Sequence, residues 1–268
     1  MIEARDGARI RLHTTGAGPD LVVVHGGGVT IDIYRRLAAR LAGRFTVHLY
    51  NRRGRADAPP RSEPYSMQED IDDLAAVLAH TGAGNVLGHS GGAVVALEAA
   101  RQQVPMRRLA VYDAPLQVDG LFPTGWLPGA RAAAQAGDTA RALALTGAGL
   151  NTQSVAGKLP VGVQVAITKL FLRTPIGRMM GDLVAMTLDE SQAIHEHSGP
   201  ASRWAGITAE LLLVCGSGGP PYYPKINAAL AAVVPGARTL EIRGSGHDGL
   251  ARADPRLVEP FAEFFARP

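Results

Sequence analysis

The segment "NVLGHSGGAVVAL", residues 85–97, decides the fold and raises the first functional question. It runs from an apolar, strand-like end through a small polar turn into an apolar, helix-like stretch. Gly88 to Gly92 fit the pattern G-x-S-x-G, a sharp turn that lifts a serine hydroxyl clear of a sheet. In a chain with 32 glycines the pattern alone is weak evidence, but the strand before it and the helix after it supply the required context. We predict that Ser90 is a nucleophile; the alternative is an ordinary glycine-rich turn.

Strands and helices alternate on both sides of this turn. Residues 20–24 form a β-branched run that ends in glycines, as a buried parallel strand does. Ser66 and Glu69 predict a capping box at the start of a helix that Gly82 ends. Further strand-like segments are residues 9–13, 45–50, 109–112, 209–216 and 238–244, and further helix-like segments are residues 32–42, 225–233 and 255–266. The alternation predicts an α/β fold, with a mainly parallel sheet flanked by helices.

Residues 121–200 interrupt the alternation. They are rich in Gly, Ala, Pro and Met, contain several helix-like pieces and have no persuasive strand. We predict a helical insertion that lies over the C-terminal edge of the sheet, where α/β proteins bind their ligands. The core is then made of residues 1–120 and 201–268, one domain of a size that buries a substantial core.

The composition indicates which kinds of binding partner and which cellular compartment to expect. The 27 basic and 24 acidic residues give a formal net charge of +3, and the basic residues are scattered, so nucleic acid is not an expected partner. A single cysteine, Cys215, excludes an internal disulfide, and Glu3, Arg5 and Asp6 stand where a secretory signal has its apolar core. The apolar runs are far shorter than the roughly 20 residues of a membrane span. We expect a cytoplasmic protein with no membrane partner; its oligomeric state is not readable from the sequence.

A serine nucleophile needs an adjacent base that is itself oriented by an acid. The predicted base is His247, because "GSGHDGL" follows the last strand and precedes the last helix, again at the C-terminal edge of the sheet. His13 and His48 lie in strand-like segments and are interpreted as structural or surface residues. His195 and His197 belong to the insertion, where either can line a substrate pocket.

The same loop has a competing interpretation as a nucleotide site. Gly244, Gly246 and Gly249 spell G-x-G-x-x-G after a strand, which is the dinucleotide-binding fingerprint. That interpretation fails because Pro255 follows early and no second strand remains to carry a ribose-binding carboxylate. No group of His, Cys or carboxylate residues has the spacing of metal ligands. We therefore expect neither a cofactor nor a metal.

The glycines of "HGGG", residues 25–28, predict an oxyanion hole. Backbone N–H groups must point at the developing negative charge, and glycine lets a substrate approach such a backbone closely. One donor is predicted to be Gly91, the residue after the nucleophile, and the other Gly27. The alternative for these glycines is a merely tight turn.

Together these segments resemble the α/β-hydrolase superfamily, over nearly the whole chain. The matching pieces are "VVVHGGG", "LYNRRGRADAP", "NVLGHSGGAVVAL" and "RGSGHDGL", in the superfamily's order. Members usually have an aspartate at the position of Asn51 in the second piece, and we interpret this replacement as structural. The insertion is similar to the helical lid that many members place between the sixth and seventh strands of their sheet.

The position of the triad acid departs from the common pattern of the superfamily. Relatives commonly carry it in the loop after the seventh strand, where this chain has Gly219, and no carboxylate occurs between Glu210 and Glu241. A subset takes the acid from the end of the sixth strand, and Asp113 in "LAVYDAPL" occupies that position. Left open are Asp119, a carboxylate of the insertion, and a triad without an acid. Asp248, beside the histidine, is interpreted as a loop-forming residue.

The resulting functional expectation is acyl transfer to water. Ser90 attacks an ester, thioester or lactone, His247 takes its proton and Asp113 orients the imidazole, and Cys215 is interpreted as a core residue. The apolar side chains of the insertion indicate a hydrophobic small-molecule substrate of moderate size, with Trp126 and Met180 as pocket residues, although each can instead anchor the insertion to the sheet. Three alternatives remain: a biosynthetic cyclase or transacylase, a carbon–carbon bond hydrolase, and a non-catalytic small-molecule-binding protein.

Overall fold

The strand before the serine turn lies at the centre of a seven-stranded sheet in a computed structural model, which describes residues 1–267. Two short strands, β1 Ile2–Glu3 and β2 Arg9–Ile10, form a separate two-stranded sheet. The seven strands of the main sheet are β3 Leu12–Thr15, β4 Asp20–Val24, β5 Thr46–Tyr50, β6 Asn85–His89, β7 Arg108–Tyr112, β8 Glu210–Gly216 and β9 Arg238–Ile242. The order across the sheet is β3-β5-β4-β6-β7-β8-β9, and only β3 runs antiparallel to its neighbour. The predicted α/β fold with a mainly parallel sheet is confirmed.

Helices cover both faces of this sheet. Their bounds are α1 Arg35–Leu41, α2 Met67–Thr81, α3 Gly91–Arg101, α4 Leu127–Gln135, α5 Thr139–Leu150, α6 Val161–Phe171, α7 Pro175–Asp182, α8 Val184–Glu196, α9 Tyr222–Ala231 and α10 Pro255–Phe265. Side chains of α2, α3 and α9 form one apolar core against the sheet, and those of α1 and α10 form another on the opposite face. The central strands are buried on both faces, which explains their continuous apolar sequence.

The strand order reverses beside β4. The chain passes from β4 to β5 on one side of β4 and then crosses to β6 on its other side. The loops that follow the adjacent strands β4 and β6 therefore run in opposite directions and leave a crevice between them. In open α/β sheets such a crevice at the carboxyl ends of the strands is where ligands bind. The glycine loop at residues 25–28 and the serine turn flank this crevice.

The predicted insertion contains α4 to α8, between β7 and β8. A small apolar core of its own joins α4, α5 and α8 through Leu127, Ala130, Ala133, Ala142, Val184 and Leu188. Its two ends meet at an isolated parallel bridge between Val118 and Gly199. None of residues 121–198 lies in a strand, so this stretch agrees with the helical pattern of the sequence.

The capping box expected at the start of α2 is only half formed. The Ser66 hydroxyl accepts a hydrogen bond from the Gln68 N–H, as an N-cap does, and Gly82 ends the helix in a left-handed conformation. The Glu69 carboxylate, however, accepts from the Ser62 N–H and pairs with Arg53 instead of returning to the cap. Tertiary partners thus outcompete the local one. Within residues 1–267, no helix has the length and apolar character to cross a bilayer.

Candidate active site

Ser90 occupies a strained turn between β6 and α3. Its φ is 52° and its ψ −127°, a conformation that costs a non-glycine residue about 1–3 kcal/mol. The flanking glycines permit the turn: a β-carbon on Gly92 would lie 2.3 Å from the His25 carbonyl oxygen, and one on Gly88 would lie 2.6 Å from the Ala93 α-carbon. The strain and the close packing together hold the half-buried hydroxyl at the end of the sheet.

His247 bridges Ser90 and Asp113. Its Nε2 lies 3.1 Å from the Ser90 Oγ, and its Nδ1 lies 3.1 Å from the Asp113 Oδ2. The carboxylate accepts only, so the neutral imidazole carries its proton on Nδ1 and presents Nε2 as an acceptor to the serine hydroxyl. The geometry suits proton transfer from the hydroxyl to the imidazole, although the residues are 157 and 134 positions away from His247 in the chain.

Asp113 is fully buried at the end of β7. Its φ of 48° turns the chain sharply, and its Oδ1 accepts a hydrogen bond from the Gly216 N–H at 3.3 Å. Gly219 faces the same carboxylate, because a β-carbon added there would lie 3.8 Å from the Asp113 Oδ2. The two sequence positions considered for a triad acid, 113 and 219, are therefore neighbours in space. Asp119 is instead exposed, with its N–H bonded to the Gly199 carbonyl at the base of the insertion.

Two tyrosines support the His247 loop. The Tyr223 ring stacks on the imidazole with an interplanar angle of 4°, and its hydroxyl lies 3.4 Å from Nδ1. The Tyr112 hydroxyl donates to the Gly246 carbonyl at 2.6 Å. Burial, with further contributions from Tyr222 and Asp113, raises the pKa of Tyr223 well above its ordinary value, so this ring stays uncharged beside the acid. The histidine is therefore held by packing as well as by its carboxylate.

Gly27 and Gly91 present their backbones to each other. A β-carbon on Gly91 would lie 3.5 Å from the Gly27 nitrogen, so the two backbones lie next to each other. Neither N–H donates a hydrogen bond to any other residue from 1 to 267. Unpaired backbone N–H groups next to a nucleophile are donors of the kind that stabilises an oxyanion, so the role of Gly27 and Gly91 stays a prediction.

Two buried histidines that the sequence analysis did not single out hold these loops in place. His25 donates from Nδ1 to the Gly26 carbonyl at 2.8 Å and accepts from the Arg52 N–H at 2.9 Å. His89 donates from Nε2 to the His247 carbonyl and accepts from the Tyr34 hydroxyl, which in turn accepts from the Gly26 N–H. Both could have been found from the sequence, because each histidine is the last residue of a predicted buried strand or the residue just after it, next to a glycine or serine of a motif.

A buried charged cluster adjoins the glycine loop. Arg52 donates to Asp70 at 2.6 Å and to the Oε2 of Glu190 at 3.3 Å, and Arg55 pairs with the Oε1 of Glu190. All four residues are at most 4 % exposed, so their charges are compensated almost wholly by one another. Tyr65 also donates to Asp70 at 2.6 Å. Glu190 comes from α8 and the arginines from the loop after β5, so the cluster joins the insertion to the core.

Within this cluster, Asp70 and Arg52 stabilise each other's charged form. Burial opposes the charged form of Asp70, but Arg52 outweighs burial and lowers the pKa of that carboxyl. Burial alone would lower the pKa of Arg52, but the negative charges of Asp70 and Glu190 outweigh burial and raise this pKa well above its ordinary value. The sequence shows the arginines in "NRRGRADAP" but gives no sign of Glu190, which is 138 positions away from Arg52.

The predicted pocket residues are not brought to Ser90 by the contacts that the structure records. Trp126 packs on Gly149 of α5, and its indole N–H donates to the Pro123 carbonyl at 2.9 Å. Met180 is half-buried on α7, and the neighbouring Met179 accepts a hydrogen bond from Thr30 at its sulfur. Their part in substrate binding stays a prediction.

The remaining histidines and Asn51 have identifiable partners or exposure. His13 lies 2.8 Å from Asp57 and His48 2.8 Å from Asp20, in keeping with structural or surface roles. His195 is exposed, and His197 donates to the Ala193 carbonyl. Asn51 accepts from the Ile31 N–H and donates to Asp57, so it ties the loop after β5 to the loop after β4.

Residues 21–261 match the model of the alpha/beta hydrolase family. An alpha/beta hydrolase from Sphaerobacter thermophilus DSM 20745 is 28% identical, covers 99% of both chains and superimposes with a TM-score of 0.81. An esterase from Exiguobacterium antarcticum, 17% identical over 99% of this chain and 98% of that one, shares the fold with a TM-score of 0.76.

Curated relatives match over shorter segments. The uncharacterized hydrolase YraK of Bacillus subtilis is 36% identical over 96 residues, which are 34% of this chain and 35% of that protein. A pimeloyl-[acyl-carrier protein] methyl ester esterase of Stenotrophomonas maltophilia is 31% identical over 105 residues, 39% of each chain. The matched segments thus span little more than a third of these curated relatives.

Proposed function

The chain belongs to the alpha/beta hydrolase family, and from that premise we propose that it is a serine hydrolase acting on esters, thioesters or lactones. The observation that carries the proposal is the unbroken contact from Ser90 through His247 to Asp113, with 3.1 Å at each step. A serine, a base and a buried acid in this order are the parts that acyl transfer requires. The methyl ester esterase among the relatives supports ester chemistry in the matched segment.

The proposed mechanism has two half-reactions. The Ser90 oxygen attacks the carbonyl carbon while His247 takes the hydroxyl proton, and Asp113 stabilises the imidazolium that forms. The N–H groups of Gly27 and Gly91 donate to the oxyanion, and the imidazolium then protonates the leaving group. Water attacks the acyl-enzyme with His247 again as the base, which releases the acid and restores the serine.

We propose a hydrophobic substrate of moderate size and a cytoplasmic setting. The apolar side chains of the insertion support this size and polarity, with Trp126 and Met180 as the residues to test. Trp126→Ala and Met180→Ala are expected to change the ratio of kcat/KM between short and long acyl esters. Ratios equal to those of the unmodified enzyme contradict the assignment of Trp126 and Met180 to the substrate pocket, but they do not bear on the proposed reaction.

The reaction itself is tested by labelling with a fluorophosphonate, which reacts with activated serines, and by turnover of p-nitrophenyl esters. Ser90→Ala is expected to abolish labelling, and His247→Ala to lower kcat by about four orders of magnitude or more. His80→Ala, an exposed histidine of α2, is the matched control and should behave as the unmodified enzyme. Absence of labelling in the unmodified enzyme contradicts the proposal and favours a non-catalytic binding protein.

A further inference from the structure

Helix α8 of the insertion places a carboxylate directly on the proposed oxyanion loop. The Oε2 of Glu190 lies 3.2 Å from the point where a β-carbon on Gly27 would sit and 3.9 Å from the equivalent point on Gly91. Both residues are glycines, so the carboxylate approaches their backbones closely, with the methyl group of Thr187 beside it at 3.4 Å from the same position on Gly27. Glu190 and the charged residues around it thus form a wall beside the loop that the proposed mechanism uses to bind the oxyanion.

The charges in that wall cancel. Arg52 and Arg55 are the cations, and Glu190 and Asp70 the anions, and each arginine contacts the Glu190 carboxylate. Arg52 lies close to the reacting centre as well, because its Nη1 is 3.7 Å from the position of a β-carbon on Gly91. Removal of the Glu190 charge leaves one uncompensated positive charge beside the acyl group.

Glu190 also has hydrogen-bonding capacity to spare. An ionised carboxylate offers about four acceptor positions. Among residues 1–267, Glu190 accepts hydrogen bonds only from the Nη1 of Arg52, at Oε2, and the Nη2 of Arg55, at Oε1. The unused acceptor capacity of Oε2 lies next to Gly27.

We propose that Glu190 is a specificity-determining residue that selects acyl groups with a hydroxyl donor beside the reacting carbonyl and rejects acyl groups with a carboxylate there. The inference rests on the proposed function and names its substrate class: esters, thioesters or lactones of 2-hydroxy acids, with an apolar remainder. A hydroxyl donates to Oε2, a hydrogen bond to a charged group that is strong in a water-poor site. A carboxylate at this place has no proton to donate to Oε2, and because the charges of the wall cancel, it gains no net attraction that would offset the like charge it faces.

Three methyl esters of matched size test the proposal, with hydrolysis followed by acid release. They are butanoates that carry at carbon 2 a hydroxyl, a methyl or a carboxylate group. The unmodified enzyme is expected to favour the hydroxyl over the methyl substrate by at least about ten-fold in kcat/KM. The carboxylate substrate is expected to be the poorest of the three. Equal rates for the hydroxyl and methyl substrates overturn the proposal without any variant.

Glu190→Gln keeps the shape of the side chain and removes its charge. This variant is expected to lose most of the hydroxyl preference and to gain at least about ten-fold in kcat/KM on the carboxylate substrate, because Arg52 and Arg55 are then in excess. Asp189→Asn is the matched control: it removes a charge from the neighbouring residue, which pairs with Arg61 and Arg131, and should leave all three ratios unchanged. A uniform fall on all three substrates shows a merely structural role and overturns the proposal.

A double variant separates charge from hydrogen bonding. Arg55→Gln with Glu190→Gln restores neutrality, so it is expected to lose the hydroxyl preference without gaining activity on the carboxylate substrate. Fluorophosphonate labelling of Ser90 distinguishes the two levels of failure. Labelled enzyme without a hydroxyl preference overturns only the role of Glu190, whereas unlabelled enzyme overturns the proposed function and this inference with it.

Discussion

His89 donates a hydrogen bond from Nε2 to the main-chain carbonyl oxygen of His247, across 2.9 Å. Its other ring nitrogen accepts from the Tyr34 hydroxyl, so the imidazole is neutral and has a single tautomer. Through this ring the serine turn, the glycine loop and the histidine loop are joined in one chain of hydrogen bonds. The residue before Ser90 thus holds the loop that carries His247, the proposed base.

The buried histidines predict a loss of stability in mild acid. Burial lowers the pKa of His89 and of His25 well below the ordinary value of 6.5. Below that pH the unfolded chain binds protons on these residues that the folded chain does not, so the free energy of unfolding falls as the pH falls. Chemical denaturation between about pH 8 and pH 5 measures the slope.

His89→Gln is expected to flatten that slope while lowering stability at about pH 8 by about 1–3 kcal/mol, through lost buried hydrogen bonds. His25 remains in the variant, so part of the slope persists. His80→Gln, at an exposed position, is the control and should leave the slope unchanged. An identical slope in His89→Gln contradicts the assignment of a neutral, buried imidazole.

The closeness of Gly219 to Asp113 predicts that the acid of the proposed triad can be moved from one position to the other. Asp113→Asn is expected to lower kcat by about 10⁴-fold, because the amide no longer fixes the productive tautomer of His247. Adding Gly219→Asp places a carboxylate against the same site, since its β-carbon would lie 3.8 Å from the Asp113 Oδ2. Recovery of at least about ten-fold in kcat is the expected result.

Gly219→Asp in an otherwise unmodified enzyme is the control for the transfer of the acid. It is expected to lower activity, because two carboxylates then face one imidazole within a buried space. If the double variant stays as inactive as Asp113→Asn although its fold is intact by circular dichroism, the two positions are not equivalent.

The glycines that follow Ser90 are predicted to differ sharply in how much stability the protein loses when each is replaced by alanine. Gly92→Ala forces a β-carbon to within 2.3 Å of the His25 carbonyl oxygen, so we expect a loss of about 3 kcal/mol or more, or no folded protein. Gly91→Ala meets nothing closer than 3.5 Å and keeps its N–H, so it should fold normally. Thermal denaturation of both variants decides the point, and equal stability of the two contradicts the packing described for the turn.

The pair of Asp70 and Arg52 predicts a second, more acidic transition. Because the pKa of Asp70 is lowered from 3.8 in the folded chain, its contribution is complete above that pH and is lost as the pH falls through the folded value. Asp70→Asn is expected to cost about 3–5 kcal/mol at neutral pH, since it leaves Arg52 buried without its main partner.

The difference between Asp70→Asn and the unmodified protein should shrink below about pH 4, as measured by urea denaturation at several pH values. Asp72→Asn removes a half-buried carboxyl of the same helix, whose recorded partner is the neutral Gln68 side chain, and should show no comparable effect. A gap between Asp70→Asn and the unmodified protein that is constant with pH excludes the buried ion pair as its cause.

Much of the fold was readable from local pattern. The run at residues 20–24, the serine turn and the last histidine loop each combine a strand-like sequence with glycines that allow a tight turn, and all three lie where expected. Chain order then indicated Ser90, Asp113 and His247 as partners. Local pattern succeeded at these places because apolar periodicity and glycine-containing turns are themselves local features of the sequence.

The sequence by itself determined the α/β order of strands and helices, the strained serine turn and the short set of residues able to act as nucleophile, acid and base. Only the tertiary structure decided between Asp113 and Asp119, because a buried carboxylate must lie at hydrogen-bonding distance from His247 and that distance depends on the order of β6, β7 and β8 in the sheet. It also brought Glu190 to Arg52 and Gly27, contacts that no local pattern encodes, since the favourable energy of a buried ion pair arises only when distant segments exclude water together.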